Sequence, residues 1–470
     1  MADSYLSKTP NASNRKTLTM SVWIKRNALG SSPIFTANTD ISSDGNGFFQ
    51  FDGDNTLHFR SWSGSAYAFI IMSARKFTDT TSWTHIVIAQ DTTQSTESDR
   101  IKMYINGEQV TKFKSGSAYP SQNYDGFYNS NILHNVGRGN DAGIKFFDGH
   151  FAHFHFVDGS ALAPTVFGET DSTTGEWKPI MSPSVTYGTN GFFLKFENSG
   201  ALGTDSSGNT NTYTVNGSLK QSVSTPSNLF CTLDSNQALL SANVLNAGTT
   251  MLGTNATACG VNSTLCMKKG KWYWEVKLGT DRTTADSATI GVYKANSNAS
   301  IRWKNTGSTG IVGKETGGYL GNQGMSYQPL TSTPNIVSDG DSGTVNYGSQ
   351  ASENDIIMVA LDLDNGKWWL GKNGTWFNAP STSNAGVPNT GANAGISFTV
   401  DGDYWGVNIT SATNQANNAN KHMYVNFGEG RFGTTAVASG NADDAGQGTF
   451  EYDVPAGFYA ICTKNIKDYG

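Results

Sequence analysis

The sequence predicts an all-β protein of two tandem antiparallel β-sandwiches of the jelly-roll type, and three observations carry that prediction. First, the 470 residues include 53 glycines but only 15% charged residues, a balance that suits many short strands joined by polar turns. Second, apolar and polar residues alternate with a period of two in short runs separated by turn signals. Third, one strand-and-turn pattern occurs twice. In the first half, His85-Ile86-Val87-Ile88-Ala89-Gln90-Asp91 leads through a polar turn to Ile101-Lys102-Met103-Tyr104-Ile105, closed by Asn106-Gly107. In the second, Ile356-Ile357-Met358-Val359-Ala360-Leu361-Asp362 leads through Asp364-Asn365-Gly366 to Lys367-Trp368-Trp369-Leu370, closed by Asn373-Gly374. Asn-Gly suits a two-residue type I′ connection, because both central residues need positive φ.

The strands follow in order. Thr19–Lys25, Gly47–Phe51, Leu57–Trp62 and Phe151–Phe156 alternate in the first half, and Pro164 to Gly168 allows one helical turn. Strand signals return at Gly191–Phe196 and fade after Tyr213-Thr214-Val215. Residues 1–215 are therefore read as the first sandwich and the polar stretch 216–227, with Pro226, as a linker. Residues 228–470 form the second sandwich, with Asn378 to Ala394 as a long small-residue excursion. The chain's 25 Phe, 18 Tyr and 11 Trp suffice to fill two cores, which excludes disorder.

Charge and targeting narrow the function. A net charge of −6 without a basic block makes nucleic acid a poor partner. No apolar run reaches the roughly 20 residues that span a bilayer. Met1-Ala2-Asp3-Ser4-Tyr5 lacks a leader pattern, so synthesis in a cytoplasm is expected. Cys231, Cys259, Cys266 and Cys462 lack zinc-finger spacing and read as reduced, packed thiols, with a Cys259–Cys266 bridge as the alternative.

The first half resembles the laminin-G-like, concanavalin-type jelly roll in Met20–Lys25, Trp83-Thr84-His85-Ile86-Val87, Met103–Glu108 and Phe147–Phe156. Gly203-Thr204-Asp205-Ser206-Ser207-Gly208-Asn209 looks like a motif that usually stands near the start of such domains; here it comes last. The expectation is a permuted sandwich closed from its C-terminal side, with Phe192–Phe196 pairing into it. The second half resembles the SPRY domain, also a bent concanavalin-like sandwich. The matching residues are Gly270–Val276, Ile290-Gly291-Val292, Asp355–Asp362, Trp368–Gly374, Val425-Asn426-Phe427-Gly428 and Pro455-Ala456-Gly457-Phe458. That resemblance implies protein or peptide binding through loops at one end, without catalysis. The pairing of the two, on a Ser/Asn/Gly-rich chain, resembles structural proteins of tailed bacteriophages, especially marine ones.

Several residue patterns bear on chemistry. Gly340-Asp341-Ser342-Gly343 looks like a protease nucleophile loop, but only His422 in this half offers a base, so a flexible turn is the reading. Glucanase chemistry needs two carboxylates across the sugar bond, and no Glu-x-Asp-x-Glu strand supplies them. Asp362 to Gly366 starts like a calcium loop, but its twelfth position is Asn373, so a hairpin turn is expected. A structural calcium at the rim of the first sandwich remains the one cofactor considered, with Asp91, Asp148, Asp158 and Asp205 as ligands by type. His153 and His155 fall two apart on one strand face, which offers either a metal or a polar face toward solvent or a neighbouring subunit. Loop aromatics are the binding candidates: Trp62 and Tyr67 around Ser63-Gly64-Ser65, Trp303, and Tyr404-Trp405 after Asp401-Gly402-Asp403.

The expected function is a non-enzymatic virion surface protein of a bacteriophage, made in the bacterial host cytoplasm and displayed on the particle. Its expected partners are other virion proteins of capsid or tail and a host-surface glycan or protein, with no membrane insertion. A homotrimer is the first oligomer to consider. Strand signals within about 20 residues of Met1, without coiled coil or shaft, favour capsid decoration or a head fibre over a tail fibre. The alternatives are a carbohydrate-binding or carbohydrate-active jelly roll and a cellular protein-binding adaptor.

Overall fold

The computed structural model describes residues 4–38, 46–139, 145–172, 175–238, 242–246, 248–253, 259–281, 287–295, 314–315, 318–319, 324–337, 344–412 and 421–470. The fold is all-β, with one short α-helix, Thr463–Tyr469, among the described residues. No described helix is long and apolar enough to cross a membrane. The chain divides into two compact units, Met1–Ser227 and Asn228–Gly470.

The first unit is a sandwich of two antiparallel sheets. One sheet runs in the order Thr214–Asn216, Tyr5–Lys8, Leu133–Val136, Ser32–Asn38, Asn46–Phe51, Thr56–Trp62 and Tyr67–Lys76. The other runs Phe192–Leu194, Gly149–Asp158, Thr17–Arg26, Thr84–Asp91, Ile101–Ile105 and Glu108–Gln109. Alternation sends Met20, Val22, Ile24, Ile86, Ile88, Phe154 and Phe156 inward against Phe35, Phe49 and Phe59. Each buried side chain of this size contributes about 1.5–3 kcal/mol over exposure. Both sheets are closed by strands from the C-terminal side of the unit. Phe192–Leu194 pairs with Phe154–Phe156, and Tyr5 stands opposite Asn216. The stretch after Asn216 stays on this unit, where Leu219 packs on the core and Gln221 Nε2 donates to Phe196 O at 2.9 Å.

The second unit repeats the two-sheet architecture. Its larger sheet centres on Lys271–Leu278, flanked by Lys421–Asn426 and Ile356–Asp362; its smaller sheet includes Cys259–Met267, Trp405–Ala412 and Ser287–Lys294. Trp272, Trp274, Trp368 and Trp405 fill the core between them. The outer face of the larger sheet is buried as well. Tyr273, Met358 and Trp369 are covered there by Phe230, Phe450 and Phe458.

The doubled hairpin is built alike in both units. Asn106 and Gly107 take φ of 49° and 85°, and Asn373 and Gly374 take 50° and 86°. Each asparagine Oδ1 also accepts a backbone N–H from the start of the hairpin's first strand, His85 N to Asn106 and Ile356 N to Asn373, both at 2.8 Å. Asp362 caps its own turn as expected: Oδ1 accepts Asp364 N at 3.0 Å and Asn365 N at 2.9 Å.

Candidate functional site

A cavity of about 590 Å³ opens in the first unit beside the strand Gly149–Asp158. Its position follows from a bulge. Ala152 pairs with Trp23 and His155 with Ser21, so His153 and Phe154 together oppose Val22 alone. His153 takes up the extra residue at a φ of 46°, and Phe196, which also lines the cavity, holds a φ of 59°. Left-handed backbone at two bulky residues is costly and concentrates where a surface is being shaped.

The cavity walls are largely aromatic, and its charged lining groups are Lys195, Glu197 and Lys220. Tyr5, Phe147, Phe151 and Phe196 line it, with the Phe147 and Phe151 rings 4.4 Å apart. His153 is 8% exposed, and its Nδ1 has no hydrogen-bond partner. The half-buried Trp83 also lines the cavity with its Nε1–H unsatisfied. Burial pushes His153 down to about 4, and burial together with Lys25 pushes His150 down to about 3. Both imidazoles are therefore neutral near pH 7, each with one donor and one acceptor. Glu197 is the single carboxylate among the lining residues and lies 3.8 Å from Lys195. Aromatic walls with unpaired neutral donors and acceptors suit a polyhydroxylated ligand, whereas two-carboxylate hydrolysis of a sugar bond has no second acid here.

The bulge also corrects the expectation for His153 and His155. The strand face they were read onto is buried, because residues after the strand fold back over it. Phe167, Tyr187, Val87, Val157 and Phe193 form a second small core there. His155 is 1% exposed, its ring is stacked 3.9 Å from Phe193, and its Nδ1 shares a bond of 2.8 Å with the Tyr187 hydroxyl. On the same face, Ser21 Oγ contacts His85 Nε2 at 2.8 Å. This pair is no nucleophile and base: the Trp177 indole donates to His85 Nδ1 at 2.9 Å, so Nε2 carries the ring proton and donates to the serine.

The other expected residues are scattered. Asp91 spends its oxygens on Thr93 and Gln94, and Asp148 accepts from Asn27. Asp158 accepts from Asn129 Nδ2 and Asn190 N, and Asp205 from Phe193 N, Ser207 and Asn211 N. Among the described residues, the cluster of possible metal ligands is instead Asp52, Asp54 and His58, which sequence reading did not select. It does not fit a resident cation well. The Lys114 ammonium lies 2.6 Å from Asp54 and, with Thr56, holds that carboxyl far below its usual range. Trp62 and Tyr67 do come together, ring centroids 4.8 Å apart, on the hairpin that joins their strands. Tyr404 is 45% exposed, but Trp405 is fully buried against Phe398, so it presents no ring at the surface. Trp303 and Gly340-Asp341-Ser342-Gly343 lie outside the described residues. Cys231, Cys266 and Cys462 are free thiols, so Cys266 is not bridged.

Residues 2–167 match a laminin G family model described as the concanavalin A-like lectin/glucanases superfamily. No curated protein matches the chain. Among solved structures, the SPRY domain of human HERC1 is similar at 14% identity, covering 41% of this chain and 96% of its own, with a TM-score of 0.28. Mouse laminin alpha1 domains LG4-5 are similar at 10% identity, covering 90% and 84%, with a TM-score of 0.28. Domain 4 of the arabinanase AbnA from Geobacillus stearothermophilus, solved with arabinotriose, is similar at 20% identity, covering 32% and 65%, with a TM-score of 0.25.

Proposed function

We propose that this chain is a non-enzymatic binding protein that takes a neutral saccharide into the cavity beside the His153 bulge. The observation that carries this reading is the cavity itself. Tyr5, Phe147, Phe151 and Phe196, with Trp83 and His153, line a space of about 590 Å³, and that space holds a single, ion-paired carboxylate. A sugar ring would stack on the aromatic wall while its hydroxyls bond the polar side chains that share the lining, such as Ser182 and Gln221. The match of residues 2–167 to a lectin and glucanase superfamily agrees with saccharide binding.

The proposal places this activity on the surface of a bacteriophage particle, where the chain would attach to other virion proteins and engage host-surface glycan. Its Gly-rich, weakly charged composition and its two compact sandwiches support a displayed module. Glycan-array screening of the full chain should identify neutral oligosaccharide ligands. Ser182→Trp, an exposed position at the cavity, should reduce their binding at least tenfold. Binding unchanged by this plug would overturn the cavity assignment, and absence of the chain from purified particles would overturn the virion assignment.

A further inference from the structure

A second, smaller pocket of about 350 Å³ lies in the first unit and has a different character. Arg26 forms part of its wall and is 2% exposed. Its guanidinium donates to Phe77 O at 2.7 Å, Gly30 O at 2.8 Å and Asn55 Oδ1 at 3.1 Å, all neutral acceptors. Among the described residues no carboxylate pairs with it, and burial alone pushes it down to about 10. A buried cation without a counter-charge is unusual, because its desolvation is normally offset by a partner.

The pocket adds two more cations at its rim, Arg75 and Lys76, both exposed. The two arginines are held on one aromatic frame. Arg26 lies 4.4 Å over the Phe51 ring, Arg75 lies 5.2 Å over Phe77, and the two rings are 5.4 Å apart. Such stacking fixes guanidinium planes before any ligand arrives. Asp79 is the one acid lining the pocket, and its Oδ1 is committed to Thr81 and Ser82. Polar Asn106, Thr84 and Ser82 complete a wall able to bond hydroxyls beside the charged group.

We propose that this pocket is a second binding site, one that takes the carboxylate or sulfate of an acidic saccharide against Arg26, Arg75 and Lys76. Trp83 lines both this pocket and the larger cavity, but the charged groups that define this site line this pocket alone, so it does not depend on occupancy of the larger one. The test is calorimetric titration of the full chain with three hexasaccharides: a galacturonate hexamer, a sulfated uronate–hexosamine hexamer and a neutral glucose hexamer. At least one acidic hexamer should bind at least tenfold more tightly than the neutral one. Arg75→Ala combined with Lys76→Ala, both at the surface and therefore compatible with folding, should weaken that binding at least tenfold. The Ser182→Trp plug of the larger cavity should leave it within twofold. Carboxylate or sulfate preference is read directly from the two acidic arms. Equal binding of acidic and neutral hexamers, indifference to the double variant, or loss of acidic binding on plugging the larger cavity would each overturn the proposal.

Discussion

The ring of Trp177 lies directly on Gly107: a Cβ added at Gly107 would stand 2.8 Å from Trp177 Cζ3. The equivalent glycine of the other hairpin, Gly374, would meet only the Tyr452 side chain, at 3.2 Å. Both glycines have the same left-handed backbone, so the common conformational penalty is about 1 kcal/mol. Gly374→Ala should cost roughly that amount. Gly107→Ala should cost about 2–4 kcal/mol, because overpacking against the indole adds to it. Urea melts of the two variants measure the difference, and equal losses would mean that the Trp177 contact is unimportant.

Trp177 also carries the hydrogen bond that orients His85. Trp177→Phe keeps most of the ring but leaves the buried His85 Nδ1 without its donor. The expected loss is about 1–3 kcal/mol, the usual cost of an orphaned buried acceptor. Ser21→Ala orphans the buried His85 Nε2–H in the same way, so a similar loss of about 1–3 kcal/mol is expected.

Glu275 makes a sharper test in the second unit. Its Oε1 accepts from the Tyr273 hydroxyl at 3.0 Å and Tyr452 N at 2.9 Å; its Oε2 accepts from Asn426 Nδ2 at 3.2 Å and Glu451 N at 3.0 Å. Four donors converge on one buried carboxyl. Glu275→Gln forces an amide N–H₂ against donors whichever way it flips, so a loss of about 3 kcal/mol is expected. Hydrogen exchange at Glu451 and Tyr452 N–H should accelerate in that variant.

Acid should weaken the first unit before the second. Burial is the leading cause that pushes His85 and His150 down to about 3 and His134 and His153 to about 4, and it holds His155 well below its ordinary value. A depressed histidine pKa means that the unfolded chain binds the proton first. Stability is therefore full above the ordinary value of about 6.5 and declines as pH falls toward the folded-state values, by up to about 1.4 kcal/mol per pH unit per histidine. In the second unit burial raises Glu275, whose contribution runs the opposite way, being present in acid and lost as pH rises. Exchange protection of Gly149–Asp158 should therefore fall between pH 6.5 and 4 while that of Lys271–Leu278 persists. Simultaneous loss in both strands would contradict this.

How much of this was legible in the sequence differs between scaffold and site. The Asn-Gly hairpins and the alternating strands were readable, because turn chemistry and period-two burial are local. The pairing of Phe192–Leu194 was also anticipated from the misplaced Asp205 motif. The histidine face was misread for two reasons: the bulge at His153 breaks the alternation, and the covering residues come from later in the chain. Cavity walls drawn from Tyr5, Trp83, Phe151, Phe196 and Leu219 leave no sequence-local signal at all. Arg26 falls just beyond the strand read at Thr19–Lys25, and only the folded structure shows it buried against neutral acceptors. The helix Thr463–Tyr469 is too short to display a period of 3.6.

The register that places Tyr5 opposite Asn216 also governs how the first unit would respond to force. Its entering and leaving strands are antiparallel neighbours, so tension applied across residues 5 and 216 opens their ladder from one end, bond after bond. Strands loaded in parallel would instead have to break together in shear. The short pairing Tyr5–Asn216, Leu6–Val215 and Ser7–Thr214 would peel first, followed by exposure of the strand Leu133–Val136 beneath it. Tension across residues 5 and 216 thus reaches the Tyr5 wall of the larger cavity before it reaches the core, and under the proposed saccharide binding this would make ligand retention sensitive to load.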